Sequence, residues 1–425
     1  MSEPGDNPSI VVVGLGYVGL PLAVALARHF EVTGFDVDEE RIAELGQDFD
    51  RTGEIDDGDL ETSTLRLTAS GDDIRGADIY IVTVPTPVDA DNRPDLAAVL
   101  SATGLIARAL DPAQRPTIVY ESTVYPGVTE ELCGRALEDT GLTRGRDFRL
   151  GYSPERINPG DKTHSIDKII KVIAGEDEEV VEQLARIYGA VTSAGVFRAA
   201  SIKAAEAAKV IENAQRDINV AFMNEVSQIL AAIGVSMWDV LAAARTKWNF
   251  LGFEPGLVGG HCIGVDPYYL SHLAQKLGHN PQVILAGRDT NDGMGRWIAE
   301  RLHAHRGGKA GTALVLGLTF KENVPDLRNS RSADLIARLE ELGHRVSVAD
   351  PHADPEEVRA ELSRDPEEVN GRAFDLVVGA VKHEEYRSMP PERLAALLMP
   401  GGTLADIKAM WRGQALPAGT DYWTL

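Results

Sequence analysis

A cysteine set among glycines is the residue of this chain whose type and surroundings most directly suggest chemistry. Cys262 is one of 2 cysteines in the sequence, and it lies in the stretch PGLVGGHCIGVDPYYL shortly before Asp266. Glycines let a backbone approach a ligand closely, and a thiol near a carboxylate is a candidate nucleophile. A free cysteine is also commonly a small buried hydrophobic residue. Both interpretations stay open at this point.

Three polar side chains recur at helical spacing upstream of this cysteine. Residues 204–233 contain no glycine or proline and are rich in Ala, Val and Ile, which predicts one unusually long helix. Lys209, Asn213 and Asp217 recur every fourth residue, so they share one face of it, and Asn224 falls near the same stripe. Such a stripe is either a solvated face or part of a site.

An acid, a base and an amide follow another predicted strand on one short loop. The strand is FRLGYS at 148–153, and the loop SPERINPGD carries Glu155, Arg156 and Asn158. A carboxylate held in this way is a candidate general base. The alternative is an ordinary solvated loop.

A glycine turn near the N-terminus points to a dinucleotide. The strand SIVVV at 9–13 leads into GLGYVG, a helical pattern runs from about residue 17 to 29, and a second strand at 31–35 ends at Asp36. This is the dinucleotide-binding fingerprint, in which the glycines admit the pyrophosphate and the acid accepts a hydrogen bond from the ribose. Asp36 would repel a 2′-phosphate, so the pattern favours NAD over NADP.

Hydroxyl side chains end two further predicted strands. The strand at 78–84 carries Thr83 and leads into Pro85 and Thr86, and the strand at 117–121 leads into Thr123. Ligands bind at the carboxyl ends of strands in open α/β sheets, so these residues are placed to meet a cofactor or substrate. Each threonine is otherwise a turn or cap hydroxyl.

The strand and helix signals together predict an α/β protein with two Rossmann-like, doubly wound domains joined by a helical central domain. TALVLG at 312–317 begins the second α/β half, which lacks the glycine fingerprint but carries Lys321 and Arg328 in a segment suited to anions. We expect domains at 1–200 for NAD, 201–306 for the helical centre and dimerisation, with a further helix at 292–305, and 307–425 for the nucleotide sugar.

Composition excludes several classes of function. The formal net charge of −23 argues against nucleic acid and anionic membranes as partners. The 2 cysteines make no disulfide framework, and the N-terminus lacks the features of a signal peptide. No apolar run approaches the roughly 20 residues that span a bilayer. Free thiols fit a reducing cytoplasm, so we expect a cytoplasmic protein, and we expect no metal at its site.

The chain resembles the UDP-glucose/GDP-mannose 6-dehydrogenases over essentially its whole length. The motifs that carry the resemblance are GLGYVGLPLA, the PTP turn, EST at 121–123, SPERINPGD, the Lys209–Asn213 helix, GGHC with Asp266, and FKENVPDLR at 320–328. TKWNF followed by PGLVGGHCIGVDPYYL looks most like the bacterial branch that oxidises UDP-N-acetylglucosamine or UDP-N-acetylgalactosamine for surface polysaccharides.

The resemblance implies a four-electron oxidation of carbon 6 to a carboxylate with two NAD. Cys262 would hold the sugar as a thiohemiacetal and then a thioester, and Lys209 would stabilise the oxyanion. Asp266 would assist proton transfers, with Thr123 and Asn213 holding a water, and Glu155 would act as a base. The residues expected to contact the cofactor are Gly14, Gly16, Tyr17, Val18, Gly19, Asp36, Arg41, Thr83, Pro85, Thr86, Thr123 and Arg328.

The remaining expectations concern the substrate and the partner subunit. The residues expected to contact the nucleotide sugar are Glu155, Arg156, Asn158, Lys209, Asn213, Lys247, Asn249, Phe250, Gly259, Lys321 and Lys408. UDP-glucose dehydrogenases typically carry a second glutamate where this chain has Pro159, and Lys247 or Arg245 is the nearest candidate for their partner-subunit arginine. A homodimer or higher homo-oligomer is expected from the long helix.

Several alternatives remain open at this stage. UDP-glucose, UDP-N-acetylmannosamine and GDP-mannose are the other substrates of the same reaction class. A two-electron dehydrogenase of the 2-hydroxyacid or 6-phosphogluconate type shares the first domain and would not need Cys262. A nucleotide-sugar sensor would bind without turnover.

Overall fold

The computed structural model describes residues 7–55, 58–156, 166–260, 263–367, 369, 371–416 and 418–425. They form two compact units. One comprises Met1–Glu212 with Tyr268–Gly278, and the other comprises Asn213–Pro267 with His279–Leu425.

The first unit is built on one eight-stranded sheet. Its strands are β1 (Ser9–Val13), β2 (Glu31–Phe35), β3 (Arg66–Thr68), β4 (Ile79–Val82), β5 (Thr117–Tyr120), β6 (Arg149–Tyr152), β7 (Lys171–Gly175) and β8 (Val196–Arg198). They lie in the order β3-β2-β1-β4-β5-β6-β7-β8. The first six have the strand order of a dinucleotide-binding sheet and run parallel, whereas β7 runs antiparallel to β6.

The helices of this unit connect and cover its strands. They are α1 (Gly19–Ala27), α2 (Glu39–Leu45), α3 (Ala97–Ala109), α4 (Gly134–Glu138) and α5 (Glu178–Val191). Helix α5 begins at the cap of Asp177, whose side chain accepts from the backbone N–H of Val180. Its buried face, which includes Leu184 and Tyr188, belongs to the same core as Ile10 and Val12 of β1.

A helix of 31 residues, α6 (Ile202–Ala232), confirms the predicted long helix. The division between the two units falls within it, and α8 (Asp266–Lys276) is divided in the same way. The other helices of the second unit are α7 (Met237–Ala244), α9 (Gln282–His305), α10 (Ser332–Glu341), α11 (Pro355–Leu362), α12 (Glu384–Arg387) and α13 (Pro391–Ala396).

The second unit has a five-stranded parallel sheet of β9 (Thr312–Leu316), β10 (Arg345–Ala349), β11 (Phe374–Gly379), β12 (Leu398–Asp406) and β13 (Asp421–Thr424). Alternate side chains of β9 enter two different cores. Ala313 and Val315 pack with Leu335 of α10, while Leu314 and Leu316 belong to a separate cluster. Both faces of the sheet are therefore covered, as in a doubly wound fold.

Helix α9 begins earlier than the sequence pattern predicted. We expected a helix over 292–305, and the observed helix starts at Gln282. Gly287 weakens the helical signal before residue 292 because glycine is a poor helix former. Both Gly287 and Gly295 of this helix allow close packing, since a Cβ at Gly287 would lie 3.4 Å from Ile218 and one at Gly295 would lie 2.9 Å from the Arg331 carbonyl oxygen.

None of the helices in the described part of the chain is long and apolar enough to cross a membrane.

Candidate active site

The glycine turn after β1 has the close packing that its sequence predicted. Gly14 has φ +97°, and a Cβ at Gly19 would lie 1.8 Å from the Gly14 carbonyl oxygen. No described atom lies within 4 Å of the position that a Cβ would take at Gly16. The turn thus requires glycine at its two ends and leaves space at its middle glycine, which fits a bound pyrophosphate.

Two side chains hold the backbone of this turn in place through hydrogen bonds. Thr83 Oγ1 donates to the Gly14 carbonyl oxygen at 2.7 Å, which accounts for its hydroxyl at the end of β4. The buried guanidinium of Arg41 donates from Nε to the Leu15 carbonyl oxygen at 3.0 Å and from Nη2 to Asp50 at 2.7 Å. Both residues were expected to contact the cofactor, and their described contacts support the loop that would hold it.

Asp36 is fixed just beyond β2 by backbone donors. Its Oδ2 accepts from the Leu15 N–H at 2.7 Å and its Oδ1 accepts from the Asp38 N–H at 3.0 Å. Each carboxylate oxygen has a second lone pair, so the group can still accept from a ribose hydroxyl. The half-buried side chains of Tyr17 and Val18 lie in the same turn.

The carboxyl ends of β4 and β5 share one edge of the sheet, because these strands are parallel neighbours. Pro85 is exposed there, and Thr86 and Thr123 are half-buried. The Thr86 carbonyl oxygen accepts from the Tyr269 hydroxyl at 3.0 Å, which fixes the PTP turn. The topology thus brings the predicted cofactor residues of these strands to one edge.

Glu155 is buried rather than solvated. Lys171 Nζ donates to its Oε2 at 3.0 Å, and the neighbouring Arg156 pairs with Glu212 on α6 at 2.9 Å. The acid and the base of this loop therefore have different partners. Asn158 lies outside the described residues.

The polar stripe of α6 is also buried, which argues against a solvated face. Lys209, Asn213, Asp217 and Asn224 are all less than a tenth exposed. Asn213 Nδ2 donates to Asp266 Oδ2 at 2.5 Å. This amide therefore orients the carboxylate of Asp266, which follows the glycine-rich segment at residues 255–265, here called the glycine loop.

The next two members of the stripe hold other parts of the second unit. Asp217 accepts from Arg288 at 2.6 Å and from Asn291 at 2.7 Å. Asn224 binds both backbone groups of Gly256, accepting from its N–H at 2.8 Å and donating to its carbonyl oxygen at 3.0 Å. Helix α6 therefore anchors the start of the glycine loop.

Glycines let this loop pack against the segment after β9. A Cβ at Gly259 would lie 2.4 Å from the Asn329 carbonyl oxygen, and one at Gly260 would lie 2.6 Å from the ring of Phe320. Any side chain here would displace backbone or the half-buried ring of Phe320. The residues that come next, His261 and Cys262, lie outside the described residues.

A pocket in the second unit brings together three of the predicted substrate residues. Gly259, Lys321 and Lys408 all line it. Lys408 Nζ also donates to the Pro255 carbonyl oxygen at 3.4 Å, so the lysine reaches the glycine loop. Two ammonium groups around one cavity suit a diphosphate.

Arg331 also lines this pocket, and the sequence analysis did not single it out. It pairs with Asp292 on α9 and with Asp334 at 3.1 Å. Its position three residues after Arg328, in the same basic segment, was the available signal.

The other predicted ligand residues have varied environments. Arg328 Nη2 donates to Asp326 at 2.7 Å. Lys247 and Asn249 are exposed, and Phe250 packs against the core of the second unit. These observations describe positions and leave the proposed roles as predictions.

The comparisons with known proteins cover nearly the whole chain. Models of the UDP-glucose/GDP-mannose dehydrogenase family match with its NAD binding domain at residues 8–192, its central domain at 203–293 and its UDP binding domain at 314–413.

Relatives of similar length extend this match. The chain is 46% identical to a UDP-N-acetyl-D-glucosamine 6-dehydrogenase of Pseudomonas aeruginosa, over 94% of this chain and 96% of the relative. It is 46% identical to Protein CapL of Staphylococcus aureus over 99% of this chain and 100% of the relative. It is 30% identical to a UDP-N-acetyl-D-mannosamine dehydrogenase of Methanocaldococcus jannaschii over 92% of this chain and 90% of the relative.

Solved structures agree with the fold. A UDP-D-ManNAc dehydrogenase from Pyrococcus horikoshii superposes with a TM-score of 0.86 at 27% identity, covering 98% of both chains. A glycine turn built for a dinucleotide, a lysine-lined pocket in the second sheet unit and three consecutive family domains therefore agree, and the chain belongs to the UDP-glucose/GDP-mannose dehydrogenase family of NAD-dependent nucleotide-sugar 6-dehydrogenases.

Proposed function

We propose that the substrate is a UDP-N-acetylhexosamine, and UDP-N-acetylglucosamine before its C4 epimer. The observation that carries this choice is the difference in identity among relatives. UDP-N-acetyl-D-glucosamine 6-dehydrogenases of Pseudomonas aeruginosa and Salmonella typhi are 46% and 44% identical to the chain. The mannosamine dehydrogenases compared with it are 30% and 31% identical, and the N-acetylgalactosaminuronic acid dehydrogenases are 31% identical. We further propose that the uronic acid product serves surface polysaccharide synthesis.

The proposed reaction converts a primary alcohol, two NAD⁺ and water into a carboxylate, two NADH and three protons. Bound NAD⁺ supplies the hydride acceptor. Cys262 adds as a thiolate to the aldehyde carbon formed by the first oxidation, and the second oxidation leaves a thioester on its sulfur. Water then adds to the thioester carbon, the C–S bond breaks, and the thiolate is regenerated. The covalent link keeps the aldehyde from escaping.

The polar residues of α6 and their partners have distinct proposed roles. Lys209 stabilises negative charge on the reacting oxygen, because an ammonium group in a buried site is a strong electrostatic partner. Asp266 accepts a proton, and the 2.5 Å hydrogen bond from Asn213 supports this role by fixing its orientation. Thr123 assists by holding a water.

Glu155 is the proposed base for hydrolysis of the thioester. It takes the proton of the attacking water, which requires its ionised form. Its burial and its pairing with Lys171 support this assignment, since a paired carboxylate keeps a fixed orientation.

The pocket of the second unit is the proposed site of the nucleotide diphosphate. Lys321 and Lys408 neutralise its charge, and Arg331 contributes a third cation. Gly259 lines the pocket, and its lack of a side chain lets the loop pack closely against Asn329 there. The remaining predicted ligand residues stay part of this proposal, as does the division at 1–200, 201–306 and 307–425.

A panel of nucleotide sugars tests the substrate. The purified protein is incubated with NAD⁺ and one sugar nucleotide at a time, and NADH formed is measured against uronate released. UDP-N-acetylglucosamine is expected to give two NADH per uronate with the highest kcat/KM. Turnover of UDP-glucose or UDP-N-acetylmannosamine alone would overturn the substrate. One NADH per substrate would indicate a two-electron dehydrogenase, and binding without NADH would indicate a sensor.

We also propose that the protein is a homodimer that uses the exposed apolar stripe of its long helix. Phe222 and Ile229 lie two turns apart on α6, and each is 58% exposed. Ile233, the first residue after the helix, is 68% exposed. Side chains at this spacing share one helix face. Large exposed apolar residues in a row mark an interaction surface.

Sedimentation equilibrium tests this proposal. The parent protein is expected at twice its chain mass, and Phe222→Glu combined with Ile229→Glu is expected to give monomer, because buried unpaired carboxylates oppose association. Phe49→Glu is a matched control, since Phe49 is also 58% exposed and lies in the first unit. A monomeric parent, or dissociation by the control alone, would contradict the stripe as the interface.

A further inference from the structure

A buried group of four ionisable side chains in the first unit has no assigned role beyond Glu155. We call it the Lys171 cluster, and it consists of Glu121, Glu155, Lys171 and Tyr188. Glu121 follows β5, and Glu155 lies in the loop after β6. Lys171 is the first residue of β7, and because β7 runs antiparallel to β6, this residue lies at the carboxyl edge of the parallel strands.

The members of the cluster are hydrogen-bonded to one another and almost fully buried. Lys171 Nζ donates to Glu121 Oε2 at 2.7 Å and to Glu155 Oε2 at 3.0 Å. The Tyr188 hydroxyl donates to the other oxygen of Glu121, and Lys171 lies 5.2 Å from the centre of its ring. Lys171 is 2% exposed, Glu121 1% and Glu155 8%.

One cation faces two carboxylates in this space. Burial alone would lower the pKa of Lys171, but Glu121 and Glu155 outweigh it and raise that pKa, so the lysine keeps its charge. Burial, together with the charge of Glu155, raises the pKa of Glu121 to about 7 despite the opposing effect of Lys171. Burial raises the pKa of Tyr188 well above its usual value, so its hydroxyl stays a donor. Within the cluster, a proton taken up near neutrality therefore goes to Glu121.

We propose that Lys171 is a positioning residue that keeps the Glu155 carboxylate ionised and oriented, and that Glu121 behind it holds the proton that the cluster takes up. The inference rests on the proposed role of Glu155 as the base for thioester hydrolysis. Without the lysine, two buried carboxylates would face each other, and each would take up a proton more readily. With it, the excess proton is kept on the carboxylate that does not meet the water.

Two substitutions separate this role from a structural one because only one of them is expected to shift the pH dependence. Lys171→Met removes the cation, so the acidic limb of the kcat profile is expected to move up by roughly 1 pH unit or more. Glu121→Gln replaces a carboxyl that already carries a proton where Glu155 titrates with a neutral amide, so the same limb is expected to stay in place. A general loss of packing would lower kcat in both variants without shifting the limb in Lys171→Met.

A rapid-mixing experiment identifies the affected step. Both hydride transfers precede hydrolysis, so Lys171→Met is expected to keep a rapid burst of two NADH per active site. Steady turnover near neutral pH is expected to fall about 10- to 100-fold, which is less than the roughly 10²- to 10⁴-fold contribution of general acid–base catalysis because Glu155 is impaired and not removed. Lys171→Arg keeps the charge and is expected to restore part of this rate. Lys203→Met is the matched control, since Lys203 pairs with Glu131 on the surface.

These experiments distinguish failure of the inference from failure of the proposed function on which it rests. If the parent protein does not form two NADH per uronate from any UDP-N-acetylhexosamine, the proposed function fails. If the parent does so and the acidic limb stays unchanged in Lys171→Met, the inference alone is overturned. If Lys171→Met does not fold, Glu121→Gln decides, because a shifted limb in that variant would mean that Glu121 is not the neutral member of the cluster where Glu155 titrates, which contradicts the inference.

Discussion

Cys262→Ser is expected to abolish release of uronate while leaving the protein folded and able to bind NAD. A serine hydroxyl is a far weaker nucleophile than a thiolate near neutral pH, so the aldehyde is captured poorly. Loss of a catalytic nucleophile lowers turnover by roughly 10³-fold or more. Any ester that does form hydrolyses more slowly than a thioester and remains attached to the protein.

The measurements follow both oxidations separately. NADH formed in the time of one parent turnover is expected to drop from two per active site to one or fewer. Protein that slowly completes the second oxidation retains an acyl adduct, which mass spectrometry of the intact protein detects. Cys133→Ala is the matched control, because Cys133 is the other cysteine of the chain and is fully buried. Burial raises the pKa of Cys133 to about 12, so it supplies no thiolate near neutrality. Uronate release by Cys262→Ser at the parent rate would refute the covalent mechanism.

The sequence predicted the dinucleotide half of the molecule well because its signals are local. The strands at residues 9–13 and 31–35 have the predicted bounds, and the positive φ of Gly14 and the close packing of Gly19 are visible as glycine spacing. The same holds for the long helix, since 30 consecutive residues without glycine or proline leave few alternatives.

The Lys171 cluster was missed because its meaning depends on topology. Lys171 opens the strand KVIAG, which the sequence analysis did not identify, and a lysine at the start of a strand usually faces solvent. Only the antiparallel direction of β7 brings it beside Glu121 and Glu155. Contacts between residues far apart in sequence leave no spacing pattern, so the pairing could not be predicted from the chain alone.

The buried stripe of α6 was also only partly predictable from the sequence. Its helical spacing was readable, but the burial of Asp217 depends on Arg288 and Asn291, which lie on α9. That helix was predicted to begin after residue 291, because Gly287 weakened its signal. The error hid the partners that distinguish a buried polar face from a solvated one.

Gly16→Ala and Gly19→Ala are expected to separate cofactor binding from folding at adjacent turns of the same motif. A methyl group at Gly16 meets no described atom within 4 Å, and its φ is not in the left-handed region, so stability should change by less than about 1 kcal/mol. The methyl group would instead occupy the space left for the pyrophosphate. NAD affinity should therefore fall by about 100-fold, or about 2.7 kcal/mol.

Gly19→Ala is expected to lose folding stability before it loses NAD affinity. Its Cβ would lie 1.8 Å from the Gly14 carbonyl oxygen and 2.4 Å from Thr83 Oγ1, so the turn or α1 must move. Overpacking of this kind costs about 3 kcal/mol or more, which thermal unfolding without cofactor measures directly. Calorimetric titration with NAD then compares the two variants. Equal loss of stability in both, or retained NAD affinity in Gly16→Ala, would contradict the division of roles between these glycines, since one is excluded by the protein's own backbone and the other by the ligand.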